Sequence, residues 1–242
     1  MNTRRMKTVV FDIETVSLPW LDLDPMTREK LTRNAEDHED FLRRKRGGAL
    51  SPYAGKIIVI GMQNPESGKG FLWREGPGPR TPLSSEDGLF ECVACDEKTM
   101  LEEFWGKLKK FDRFITFNGR SFDGPFLSVR TAIHGLTPSR NLAGYRYSVE
   151  EHVDLLDVLT FFGTVSRDQR PSLHAACVGF GVPSPKSTEM HGYRVDDLYR
   201  EGRLGEIADY CRRDVEATAE LFRRVEHTLL PLFRKAGSAG PV

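Results

Sequence analysis

Between residues 203 and 230 the chain repeats Ile207, Cys211, Val215, Thr218, Phe222, Val225 and Leu229 in steps of four and three. At about 3.6 residues per turn these positions form one apolar stripe, so the segment reads as a long helix with one face against another layer. Runs rich in β-branched and aromatic residues supply that layer. Residues 8–11, 57–62, 71–73, 89–94, 113–117 and 152–156 read as short strands, and 8–11 ends at two acids. Residues 97–110, 122–133 and 173–179 read as further helices, and 182–192 as a Pro/Ser loop. Strands dominate the start and alternate with helices later, which predicts an α/β chain with a mixed sheet and helices on its faces.

The 242 residues show no internal repeat and no long linker, so 1–242 reads as one domain. Residues 17–50 hold two prolines, an acidic cluster from Glu36 to Asp40 and the basic run Arg43, Arg44, Lys45, Arg46. This segment reads as a partly helical surface insertion, and 232–242 as a flexible tail. No apolar run approaches the roughly 18–20 residues that span a bilayer. Arg4, Arg5 and Lys7 precede an apolar run broken at once by Asp12 and Glu14, which a secretory leader would not tolerate. Four cysteines are too few for a disulfide framework, so a reducing, cytoplasmic setting is expected. The lone pair Cys92 and Cys95 lacks two further zinc ligands at metal spacing and reads as packing.

Asp12 and Glu14 lie two apart on the first strand, so both carboxylates leave the same face of the sheet. Crowded acids repel unless a cation sits between them, but a bare DxE is common at strand ends and by itself a weak signal. Asp123 follows the Asn118-Gly119 turn, where an ordinary helix cap accounts for an Asp equally well. Two glycines, two phenylalanines and an asparagine around that acid exceed what capping needs, since glycine admits a ligand to the backbone and a phenyl ring stacks on a base. Tyr210 and Asp214 stand four apart on the final helix and share a face about 100° from the apolar stripe.

FDIET, NGRSFDGPFL and YCRRDV, in that order, resemble the three motifs of the DEDD superfamily of 3′ to 5′ exonucleases. The resemblance is strongest to predicted exonucleases related to the proofreading domain of family B DNA polymerases, and runs from Val9 to about Arg224. The histidine branch would place His at position 209. Asp209 stands there and Tyr210 follows, which assigns the tyrosine (DEDDy) branch. The resemblance implies a ribonuclease H-like three-layer fold with a mixed five-stranded sheet and helices on both faces. It also implies that Asp12, Glu14, Asp123 and Asp214 hold two divalent ions, Mg²⁺ or Mn²⁺, that Tyr210 orients the attacking water, and that nucleoside 5′-monophosphates leave. Thr15, Asn118 and Phe122 match positions near the terminal nucleotide.

The 35 basic and 35 acidic residues exclude a globally basic coat protein. A polyanion still has a place to bind. From residue 113 to 149, Arg113, Arg120, Arg130, Arg140 and Arg146 face Asp123 alone, interleaved with Phe117, Phe122, Phe126, Tyr145 and Tyr147. This composition suits a groove for the 3′ end of single-stranded nucleic acid, DNA before RNA, although many such Phe and Arg residues are ordinary core and surface. Two rivals stand beside the nuclease. A phosphatase of the haloacid dehalogenase type would use Asp12-Ile13-Glu14-Thr15, but Asp196-Asp197 falls in a helical pattern rather than at a strand end. A degenerate nuclease fold acting as a nucleic-acid-binding module has against it the presence of all four acids and the tyrosine.

Overall fold

The computed structural model describes residues 6–78, 83–185 and 194–233. Among them, seven strands form one mixed sheet in the order β4-β5-β3-β2-β1-β6-β7. They are β1 (Thr8–Ser17), β2 (Gly55–Gln63), β3 (Gly70–Glu75), β4 (Leu83–Ser84), β5 (Phe90–Cys95), β6 (Arg113–Thr116) and β7 (His152–Asp154). This corrects the expected count of five. Six strands are the runs legible in the sequence, and the seventh, β4, is two residues long and exists only by pairing with β5. β1 lies antiparallel to β2 and parallel to β6, so it is an inner strand with no free edge.

The first strand does not stop at its acids. β1 continues to Ser17, paired with β2 through Asp12 opposite Gly61, Glu14 opposite Val59 and Ser17 opposite Gly55, with a register shift after Glu14. Ladder hydrogen bonds are made by the backbone, so two charged side chains do not end a strand whose neighbours are in place.

The helices are α1 (Pro25–Thr32), α2 (His38–Arg46), α3 (Glu97–Leu108), α4 (Asp123–Ile133), α5 (Leu155–Leu159), α6 (Leu173–Gly179), α7 (Arg194–Arg200) and α8 (Leu204–Glu226). Strand alternation divides the core. Val9, Phe11 and Ile13 pack with Phe104, Trp105, Phe126 and Leu127 of α3 and α4. Val10 packs with Val215, Phe222 and Val225 of α8, while Val16 meets Ile207 and Cys211 of α8 and Leu198 of α7. The predicted stripe of α8 is therefore its buried face. Alternation also sends Cys92 and Cys95 into clusters on opposite faces, where they cannot share a metal.

The 17–50 segment is more closely attached than a surface insertion suggests. It holds α1 and α2, and its end returns to β1: Ser17 donates to Arg46 O at 2.9 Å, and Thr15 donates to Ala49 O at 2.7 Å. Arg46 also bridges to Asp196 and Asp197 on α7, at 3.6 and 3.2 Å. The expected tail begins inside a short 3-10 turn, Leu230–Phe233, and its remaining residues, 234–242, lie outside the described residues. Of the 182–192 loop, 182–185 is irregular, and the rest likewise lies outside them.

Candidate active site

The row of β1 that faces α8 reads Val10, Asp12, Glu14, Val16, so two acids stand where the alternation would otherwise place apolar residues. α8 lies unusually close above them. A Cβ on Gly61, opposite Asp12, would come within 2.9 Å of Cys211 Sγ and 3.0 Å of Val215, so only glycine leaves room for the helix. The Cys211 thiol points at Asp12, donating to its main-chain oxygen at 3.7 Å. Tyr210 and Asp214 flank the cysteine on the same helix, and the Tyr210 hydroxyl is hydrogen-bonded to Asp214.

Asp123 arrives from the other layer. It opens α4, but it is no cap for its own helix: Ile13 N–H donates to Asp123 Oδ1 at 3.1 Å, joining positions 110 apart in the chain. The turn before it is tightly specified. Asn118 adopts φ 66, and a Cβ on Gly119 would lie 2.5 Å from Thr116. Asp154, at the end of β7, accepts from Asn118 N–H at 2.9 Å, Arg120 N–H at 2.8 Å and Leu156 N–H at 3.0 Å. One buried carboxylate thus fixes both ends of the turn that delivers another. Neither Gly61 nor Asp154 was singled out from the sequence, although a glycine inside the strand run IIVIGM and an acid ending β7 are signals for them.

The four acids form one electrostatic unit. Burial first, then Asp123, Asp214 and Glu14, push the Asp12 carboxyl well above the usual range. Glu14 is raised by burial, Asp214 and Asp123, and Asp123 is raised to about 7, by burial ahead of the charges of Asp154 and Asp214. The causes that shift Asp12, Glu14 and Asp123 include no arginine or lysine. Buried carboxylates that raise one another are the setting a hard divalent cation neutralises, so the donor set fits such an ion. Ligand atoms of Asp12, Glu14 and Cys211 lie within 4.8 Å of one another. Burial and then Asp12, Glu14, Asp214 and Asp123 raise Cys211 far above an ordinary thiol, so it keeps its proton and leaves the oxygens as donors. The same causes, burial and then Asp214, Glu14 and Asp12, hold the Tyr210 phenol protonated.

His152, beneath the Asp154 brace, carries a measurable consequence. It is 3% exposed, shares a 2.8 Å hydrogen bond with the Thr116 hydroxyl, and is lowered to about 3 by burial and then by the Arg120 charge. The unfolded chain takes up this proton near pH 6.5 and the folded chain only near 3, so stability is lost as pH falls through that interval. By pH 4.5 the loss reaches roughly 2–3 kcal/mol. The raised acids act in the opposite direction, so the quantity to measure is the urea stability of wild type minus that of His152→Gln, which falls by that amount as pH is lowered from about 6.5 to about 4.5.

The expected substrate residues are placed differently from one another. Asn118 is exposed on the turn that precedes Asp123, Phe122 is half-buried with its ring 5.5 Å from Phe126, and the Thr15 hydroxyl is engaged by Ala49. The expected basic groove is corrected. Arg113 is buried and bonded to Glu226 at 2.9 Å, Arg130 is buried and bonded to Glu97 at 2.6 Å, and Arg120 is buried against Asp157 and four carbonyls. Arg140 donates to Phe111 O at 3.0 Å. A local count of charge cannot separate these arginines from solvated ones, because their partners come from distant segments. The basic run of α2 is likewise engaged: Asp40 accepts from Arg43 and Arg44, Lys45 lies 5.1 Å over the Trp20 ring, and Arg46 meets α7.

This α/β architecture is the ribonuclease H-like fold of the family B polymerase exonuclease domain. It aligns with a family B DNA polymerase from the hyperthermophilic archaeon Pyrobaculum calidifontis at a TM-score of 0.58 and 16% identity, over 92% of this chain and 25% of that one. Residues 88–232, more than half of the chain, match the family described as predicted 3′–5′ exonucleases related to the exonuclease domain of PolB, and the chain belongs to that family. The match includes Asp123, Tyr210 and Asp214, whereas Asp12 and Glu14 lie before it. The chain is also 28% identical over 152 residues to the catalytic polypeptide of DNA polymerase epsilon from Dictyostelium discoideum, covering 56% of this chain and 6% of that protein's length.

Proposed function

We propose that this chain is a metal-dependent exonuclease of the DEDDy type that removes nucleoside 5′-monophosphates from the 3′ end of single-stranded DNA. The observation that carries the proposal is the convergence of Asp12, Glu14, Asp123 and Asp214, from two strand positions and two helices, into one site where acidic neighbours raise each of the first three. Those four residues would hold two divalent ions, which supply charge for the phosphodiester oxygens and lower the pKa of a bound water. The protein's own contribution is position. The inner strand β1 holds Asp12 and Glu14 rigidly, Ile13 N–H fixes Asp123, and Tyr210 donates to Asp214 and so holds it in place. Because its phenol stays protonated, Tyr210 acts as a hydrogen-bond donor rather than a base.

A Tyr210→Phe substitution therefore lowers kcat by about 10–100-fold, the worth of a hydrogen bond to a charged group, while the far-ultraviolet spectrum is unchanged. The decisive experiment uses 5′-labelled and 3′-labelled DNA and RNA oligonucleotides with Mg²⁺ or Mn²⁺, with and without EDTA. A 5′-labelled strand shortens into a ladder, the 3′ label leaves first as a mononucleotide, and EDTA stops both. Hydrolysis confined to a small phosphate ester would point instead to a phosphatase, and strand binding without hydrolysis to a degenerate binding module.

A further inference from the structure

Four of the five arginines between residues 113 and 149 are engaged inside the protein; the fifth lies in an exposed triplet. Tyr145, Arg146 and Tyr147 are consecutive and exposed, the two rings by 72% and 57%. Among the described residues Arg146 has no ion pair or hydrogen bond. Single exposed aromatics are common on protein surfaces, but this triplet has three further properties.

It is rigidly presented. Arg120 donates through Nη1 to the carbonyls of Ala143 and Tyr145, the latter at 3.2 Å, and through Nη2 to Ser148 O at 3.2 Å and His152 O at 3.1 Å. Its Nε meets Asp157 at 3.0 Å. A buried guanidinium thus organises the loop on either side of two exposed rings, and a loop already ordered loses little entropy on binding. It is also continuous with an aromatic strip. Tyr147 lies 5.8 Å from Tyr145 and 5.6 Å from Phe162, and Phe162 lies 5.1 Å from Phe233. Phe161 and Phe162 adopt φ 49 and φ 56, a left-handed conformation that bulky side chains avoid unless their surroundings impose it.

The third property is its connection to the acids. The loop begins against the first turn of α4, where a Cβ on Gly124, the residue after Asp123, would lie 3.0 Å from Leu142 Cβ. The backbone of Arg120 is held by the same Asp154 carboxylate that fixes Asn118. The edge-on arrangement of the two tyrosines, at 68°, keeps the rings from covering one another and leaves faces for a flat ligand.

We infer that Tyr145, Arg146 and Tyr147 form a subsite for unpaired nucleotides, the rings stacking on bases and Arg146 meeting a phosphate of the strand whose 3′ end lies at the acids. The inference rests on the exonuclease reading for its substrate class and adds where the strand runs beyond the scissile bond. An aromatic-cation-aromatic triplet recognises any base through its π face, so the subsite is sequence-tolerant.

The test is steady-state kinetics of the full chain carrying Tyr145→Ala and Tyr147→Ala, on a single-stranded DNA of about 20 nucleotides and on a dinucleotide, which offers no strand beyond the scissile bond. The expected result is a KM for the long strand raised ~10-fold or more with kcat within twofold, so that the preference for long over short substrate falls by the same factor. Tyr145→Phe with Tyr147→Phe restores it, and Arg146→Ala lowers the dependence of binding on log salt by about one. An unchanged KM, or an equal fall on both substrates, overturns the subsite. If the wild-type chain cleaves neither, the exonuclease reading fails separately. Fluorescence anisotropy of a labelled 20-nucleotide strand with the same variants in EDTA then decides the subsite, and undiminished affinity of the double variant overturns it.

Discussion

Asp12→Asn lowers 3′-terminal nucleotide release by ~10³-fold or more and, in the same protein, raises the melting temperature measured in EDTA. Both effects follow from one feature. Asp12 lies among Glu14, Asp123 and Asp214, and burial together with those charges makes its ionised form costly. Replacing it with a neutral isostere of similar volume relieves that repulsion, so the melting temperature in EDTA rises. The same replacement removes a ligand for the cations on which the reaction depends, whose contribution is several kcal/mol, or about three decades in rate. Wild type therefore gains melting temperature when Mg²⁺ or Mn²⁺ is added, and Asp12→Asn gains much less. Calorimetry with and without metal, beside the labelled-strand assay, separates the terms. Full activity of Asp12→Asn, or a melting temperature in EDTA below wild type, would sink the assignment.

Arg120→Ala is expected to cost about 3–5 kcal/mol of folding stability, seen as a melting point lower by about 10 °C and a shifted urea midpoint. The side chain is buried, and its loss leaves Asp157 and the carbonyls of Ala143, Tyr145, Ser148 and His152 without their donor. Arg120→Lys recovers less than half of this, because an ammonium offers three donors from one point and cannot reach carbonyls spread around a planar fork. A melting point within 2 °C of wild type would show that the surrounding loop holds itself.

Much of the fold is legible from local pattern. The α8 stripe, the helix over 122–133 and six strand runs are periodic over several residues, and periodicity reports which face is buried without reference to any partner. The candidate acids are legible for a different reason: a hard-cation site needs several carboxylates, and three motifs in order supply them. What the chain did not disclose are the features made by contact between distant segments. β4 depends on pairing with β5, β1 passes its own charges because β2 and β6 flank it, and the end of the 17–50 segment returns to Thr15.

The arginines show the division most clearly. By sequence alone, five of them around a single acid form a basic stretch beside a motif, and that fact is correct. Tertiary structure decided what each one meets: Glu226, Asp157, Glu97 and a main-chain carbonyl for four, and no partner among the described residues for Arg146. Likewise the chain itself determined that Asp12, Glu14, Asp123, Tyr210 and Asp214 exist in that order and which face of strand or helix each takes. Only packing determined that Asp123 reaches Ile13 from the opposite layer, and that Gly61 lets α8 bring Tyr210 and Asp214 down to the acids of β1. Covalent spacing sets direction over a few residues, whereas the field at a carboxylate depends on every charge and every excluded water within several ångströms, and those are assembled only when the layers close.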